Sequence, residues 1–168
     1  MHIQIRKEQP QDSAHIATLI KTAFQNIDYS SHTEHLIVDA LRATGELTIS
    51  LVAVIDNTLV GYVAVSPVTL SNQAQAWYGL GPIAVLPEQQ HLGIGSQLMH
   101  AALAALKQQH AQGCVLLGEP QYYARFGFQS VNGLWLADVP QEYFQALSFN
   151  GTFPQAEVFY SAAFSVTE

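Results

Sequence analysis

Cysteine, basic charge and long apolar runs are all scarce in this 168-residue sequence. The one cysteine, Cys114, excludes an internal disulfide and fits a reducing compartment, so a cytoplasmic setting is expected. Only 6 Lys and Arg stand against 13 Asp and Glu, giving a formal net charge of −7. Without a basic run the chain cannot neutralise a row of phosphates, which argues against nucleic acid as a partner. No stretch reaches the roughly 18 consecutive apolar residues of a membrane span, and Met1 to Lys7 lack the pattern of a signal peptide. Seven histidines are scattered through the chain, and only His32 and His35 share helical spacing. No cysteine or aspartate cluster joins them, so they read as solvated side chains and no metal is expected.

Neither repeat, low-complexity tract nor linker divides the chain. With 49% hydrophobic residues it can bury one sizeable core, which predicts a single domain over 1–168. Ile3 and Ile5 alternate with polar residues as in a short strand. From Pro10, the apolar positions Ile16, Leu19, Ile20, Ala23, Phe24 and Ile27 trace one helix face. Ser31-His-Thr-Glu34 reads as a capping box for a second helix, which carries Leu36, Ile37, Ala40 and Leu41 and stops at Gly45. Two strand-like runs, Thr48 to Ile55 and Leu59 to Val68, flank Asp56-Asn57-Thr58 and predict a hairpin. A third run covers Ala74 to Leu86. A helix follows over Gly95 to Gln112, then a buried strand from Cys114 to Leu117 and a short helix over Pro120 to Phe126. The tail reads as strands with one helix near Gln141 to Leu147. Trp77 and Tyr78 read as half-buried sheet residues, and Phe149, Phe153 and Phe159 as core. The order βααβββαβαβ predicts an α+β (mixed α/β) fold.

Gly93 and Gly95 interrupt this pattern at the junction of strand and helix. Glycine there costs about 1 kcal/mol relative to alanine, so another interaction must offset it. The first amides of a helix lack intrahelical partners and carry partial positive charge, and glycine lets a phosphate approach them closely. A P-loop is excluded because no Gly-Lys-Ser/Thr is present. A dinucleotide fingerprint is excluded because the third glycine and the later acidic residue are missing. What remains is Gln90-x-x-Gly93-x-Gly95 after Ile83-Ala-Val-x-Pro87.

That stretch, Ile83 to Met99, resembles the acyl-CoA-binding motif of the GNAT N-acetyltransferase superfamily. Gly118-Glu-Pro-Gln-Tyr-Tyr-Ala-Arg-Phe-Gly-Phe128 is similar to a signature of its YhbS-like branch, and Val65-Ser-Pro-Val68 and Phe159 to Phe164 add to the likeness. The resemblance implies a central, mostly antiparallel mixed sheet flanked by helices and splayed between its two middle strands. It implies that Ile83, Ala84 and Val85 bond the pantetheine arm of acetyl-CoA. Gln90, His91, Leu92, Gly93, Ile94, Gly95 and Ser96 would hold the pyrophosphate. Tyr123 would protonate the leaving thiolate, with Glu119 and Glu34 the candidate bases. Tyr122 would serve packing, and Arg125 would bond a helix C-terminus or else contact the acyl group or a phosphate. The reaction implied is direct attack of a primary amine on the thioester, the oxyanion resting on backbone N–H groups near Val85. The alternative is a non-catalytic acyl-CoA-binding or sensing module, and a third reading is O-acyl or longer-acyl transfer. A homodimer is compatible with the family. The acceptor is not identified by these motifs.

Overall fold

In the computed structural model, which describes residues 2–167, the chain folds as a helix-flanked sheet. The first strand is β1 (Gln4–Lys7), and a 3-10 turn leads from it into α1 (Ser13–Phe24) and then α2 (Glu34–Thr44). β2 (Ile49–Ile55) and β3 (Thr58–Pro67) form the expected hairpin. Asp56 and Asn57 take φ of 50° and 64°, the left-handed pair that matches the twist of two antiparallel strands. Next come β4 (Thr69–Leu70), β5 (Trp77–Val85), α3 (Ile94–Gln108) and β6 (Gly113–Leu117). The chain ends with α4 (Pro120–Tyr123), β7 (Leu134–Trp135), β8 (Phe144–Ser148) and β9 (Ala156–Phe159).

Six strands pair in the order β1-β2-β3-β5-β6-β8, and β4-β9-β7 make a small second sheet. Within the larger sheet only β5 and β6 run parallel. α3 covers one face, burying Leu98, Met99, Ala102 and Leu106 against Val63, Leu80 and Cys114. α1 covers the other with Ile16, Leu19 and Ile20 against Val52, Tyr62 and Ala64. Each such side chain contributes about 1.5–3 kcal/mol when fully buried, and helices on both faces explain why β2 and β3 are apolar almost without alternation.

Several expectations are corrected. The capping box does not form: Thr33 is the N-cap and makes no side-chain cap bond, while the Glu34 carboxylate accepts the Ser30 hydroxyl at 2.6 Å. The helix expected near Gln141 to Leu147 is a single 3-10 turn followed by β8, because pairing with β6 outweighs the helical propensity of Glu142 to Leu147. Phe159 stands exposed on β9, Trp77 is buried rather than half-buried, and His35 is buried rather than solvated.

β5 sets the site. It pairs with β3 along its length, but with β6 only at Trp77–Gly113, Tyr78–Cys114 and Gly79–Val115. Beyond Gly79 the two strands part. The β3–β5 register also shifts between Val63 and Val65, opposite Gly81 and Pro82. The result is an unpaired strand edge from Leu80 to Val85 in the middle of the sheet.

Candidate active site

Strand geometry decides which groups that edge offers. The Leu86 N–H donates to Val60 across β3 at 2.9 Å, so alternation turns the polar groups of Val85 and Ile83 toward the gap. The Val85 carbonyl there accepts from the Gln90 side chain at 3.2 Å. Gln90 thereby ties the turn before α3 to the end of the strand, and this bond occupies one of its two amide hydrogens.

The mouth of α3 lies beside this edge. Gly93, the N-cap, has φ of +83°, and His91 also adopts a left-handed φ of +67°. Only the Gln97 amide, which bonds the Gly93 carbonyl at 3.1 Å, closes the first turn. The amides of Ile94, Gly95 and Ser96 therefore have no intrahelical acceptor, as at any helix start. A Cβ on Gly95 would lie 3.1 Å from the Tyr122 hydroxyl and 3.9 Å from Val85 Cγ2. The absence of a side chain keeps the passage between helix mouth and strand open.

Across the gap, α4 and the 3-10 turn Ala124–Phe126 carry a cluster of aromatic rings. Tyr122 and Tyr123 meet edge to face with centroids 4.9 Å apart, and Tyr123 also contacts Phe126 and Phe128. Burial, with smaller effects from Tyr122 and Tyr29, pushes the Tyr123 phenol up to about 12. The Arg125 guanidinium lies 4.6 Å from the centre of the Tyr122 ring, a cation–π contact.

These parts enclose one cleft of about 630 Å³. Ile83, Ala84 and Val85 form one wall; Gln90, His91, Gly93, Ile94, Gly95 and Ser96 form the floor; Tyr123 faces them. Leu92 and Glu119 do not line it: both are exposed, and Glu119 is the N-cap of α4 without a side-chain cap bond. Glu34 borders a separate cavity with Lys21 and His35. Tyr122 packs against the main core as expected and also lines the cleft, as does Arg125, which lies over the Tyr122 ring. Their i,i+3 spacing was the available signal, since it places both on one face of a helical turn. Among the described residues, no group of three or more His, Cys, Asp or Glu could hold a metal ion, and no helix is long and apolar enough to cross a membrane.

A helix mouth ready for an anion, beside a strand edge ready for an extended amide chain, characterises the fold class that transfers acyl groups from a nucleotide-borne thioester. Residues 46–130 match the acetyltransferase (GNAT) domain, and the chain belongs to this family of acetyltransferases. It is 36% identical over 126 residues to an uncharacterized N-acetyltransferase, YhbS, of Escherichia coli strain K12, covering 74% of this chain and 72% of that protein. The fold is similar to a GNAT family acetyltransferase from Brucella melitensis solved in complex with acetyl-CoA, with 47% identity, a TM-score of 0.87, and coverage of 97% of this chain and 98% of the other. It is likewise similar to E. coli YhbS in complex with CoA, at 30% identity, a TM-score of 0.88, and coverage of 100% of this chain and 94% of that one.

Proposed function

We propose that the chain moves an acetyl group from acetyl-CoA to a primary amine within the 630 Å³ cleft. The observation that carries this reading is the convergence of the free edge of β5, the amide-rich mouth of α3 and the Tyr123 phenol on one space. In this reading the pantetheine amides bond the edge at Ile83 and Val85, as an added strand would. The diphosphate rests on the amides from His91 to Ser96. Arg125 is the one fixed positive charge among the lining residues and is placed to add charge-assisted contact with an anionic part of the cosubstrate.

The neutral amine attacks the thioester carbonyl carbon, the C–N bond forms, and negative charge collects on the carbonyl oxygen. In this reading a gap-side backbone N–H near Val85 would take up that charge. As the tetrahedral intermediate collapses, the C–S bond breaks and the thiolate accepts the Tyr123 proton. A phenol near 12 is a weak acid, so it yields its proton only as charge builds on sulfur. The amine must shed its own proton first. Glu119, exposed outside the cleft walls, is better placed to pass protons to solvent than to touch the amine. A lone, buried thiol at Cys114 fits a cytoplasmic setting for this chemistry.

The test is release of free CoA thiol from acetyl-CoA across a panel of small amines and peptide amino groups. Wild-type turnover that falls by about 10²-fold in Tyr123→Phe supports the acid role. Wild-type rates in the variant would remove Tyr123 from the mechanism. Tight cosubstrate binding without turnover on any amine would favour a binding module instead.

A further inference from the structure

Two features outside the cleft converge on the Tyr123 ring. Gly118, the residue that leaves β6, lies directly beneath that ring: a Cβ built on it would sit 2.2 Å from Tyr123 Cε2 and 2.8 Å from Cδ2. Real Cβ atoms do not approach so closely, so any side chain at 118 must displace the ring. Gly118 is in turn held from both sides. Its N–H donates to the Tyr143 carbonyl at 3.1 Å, and its carbonyl accepts from the Gln145 side-chain amide at 3.0 Å. Gln145 is 1% exposed on β8, among apolar neighbours. A buried amide is costly unless bonded, and this one spends its donor on a backbone carbonyl that no strand partner serves.

We propose that Gln145 and Gly118 are positioning residues that fix where the Tyr123 phenol points. Gln145 pins the Gly118 backbone to β8, and Gly118 supplies the bare surface on which one face of the ring rests. Tyr122, Phe126 and Phe128 close around the remaining sides. The Glu119 carbonyl, one residue on, accepts the Tyr123 N–H at 3.2 Å, so the pinned segment also sets the start of α4. A ring held this way keeps its hydroxyl at one place in the cleft, with no hydrogen bond of its own among the described residues to steer it. The inference rests on Tyr123 being the proton donor, but its geometric part can be tested separately.

The test uses the full chain with tyrosines labelled at the ring carbon bearing the hydroxyl, the Tyr123 signal being identified by its loss in Tyr123→Phe. Gln145→Met keeps the volume of the side chain and removes the donor. In Gln145→Met the Tyr123 signal should shift and its titration midpoint should drop from about 12 toward the ordinary 10. Gly118→Ala should do the same without touching Gln145, which guards against a Gln145 variant that fails to fold. An unchanged signal and midpoint in folded variants would overturn the proposal. The kinetic arm measures thiol release from acetyl-CoA with the best amine of the panel. Gln145→Met should lower kcat about tenfold or more with KM for acetyl-CoA within about threefold, and should have no further effect in a Tyr123→Phe background. An equal loss in both backgrounds would mean that Gln145 acts independently of Tyr123. Wild-type turnover in Tyr123→Phe alone would instead sink the acid role and leave the geometric arm to decide the positioning.

Discussion

Burial of Tyr123 determines how its chemistry should depend on pH. Its phenol stays protonated up to about 12, well above the ordinary value near 10. An amine acceptor loses its proton with a pKa near 10, so turnover at limiting amine should climb with pH through 7 to 9. No falling limb from Tyr123 should follow below about pH 11. A pH–rate profile checks this, and a descending limb near pH 9 that disappears in Tyr123→Phe would contradict it. Tyr160 makes the opposite point about a hydroxyl. Its oxygen is buried with no partner among the described residues, although the ring packs on Phe164 and against Gly79. An unsatisfied buried hydroxyl costs about 1–3 kcal/mol, so Tyr160→Phe should leave stability unchanged or raise it, by up to about 1 kcal/mol. In a domain of this size that is a rise of roughly 2–4 °C in Tm. A clear fall in thermal unfolding would mean that the hydroxyl has a partner.

The junction of β5 and α3 is where an element, rather than any one side chain, makes the site. Gly95 lies between the helix mouth and the strand edge, with the Tyr122 hydroxyl 3.1 Å from its would-be Cβ. Gly95→Val should therefore raise the Kd for CoA at least tenfold by calorimetry, while Tm moves by only a few degrees. Unaltered affinity would count against an amide cradle at this mouth. The strand, the turn and both glycines were legible in the sequence because each is local: apolar alternation stops, polar residues intervene, glycine follows. Gln141 to Leu147 reads as a helix but folds as a 3-10 turn and β8 for the converse reason. Nothing within Phe144 to Ser148 says strand as strongly as its partner does, since β6 supplies the ladder from over two dozen residues away. The Ser31–Glu34 box fails for a local reason instead: the Ser30 hydroxyl, four residues away, bonds the glutamate. That Tyr122 and Arg125 share the cleft depends on tertiary placement: the Tyr122 hydroxyl lies near Gly95 of α3, and Arg125 stacks on the Tyr122 ring.

At the scale of the whole molecule, the sheet is sealed by helices on both faces, and burial holds several of its ionisable groups neutral. Burial raises Tyr62, Tyr160 and Cys114 well above their ordinary values, and Tyr123 to about 12. The unfolded chain would ionise its cysteine near pH 8.5 and its tyrosines near 10. Above those values the native state binds more protons than the unfolded state, so stability falls as pH rises. Below about pH 8 both states are protonated and the contribution is fully present. Each group held neutral then costs about 1.4 kcal/mol of stability per pH unit on the alkaline side. The acid side runs the other way and is carried by two ion pairs, Arg6–Asp12 and Arg42–Glu8. The Asp12 carboxyl is held low by its hydrogen bonds from Arg6, at 2.7 and 3.2 Å, despite burial. Burial pushes the Glu8 carboxyl up, but bonds from Arg42 and Ser50 outweigh it and leave it below the usual range. Their contribution is present above pH 4 to 5 and is lost as pH falls through the lowered values. Urea unfolding midpoints measured from pH 3 to 11 should thus form a plateau between about 5 and 8. The alkaline slope should be the steeper, because more protons are involved and their groups are deeper. Tyr62→Phe, which removes one of those protons and also the 2.7 Å contact with Ser50, should lower the plateau and flatten the alkaline limb together. An alkaline limb of unchanged slope in that variant would show that the tyrosines do not control it.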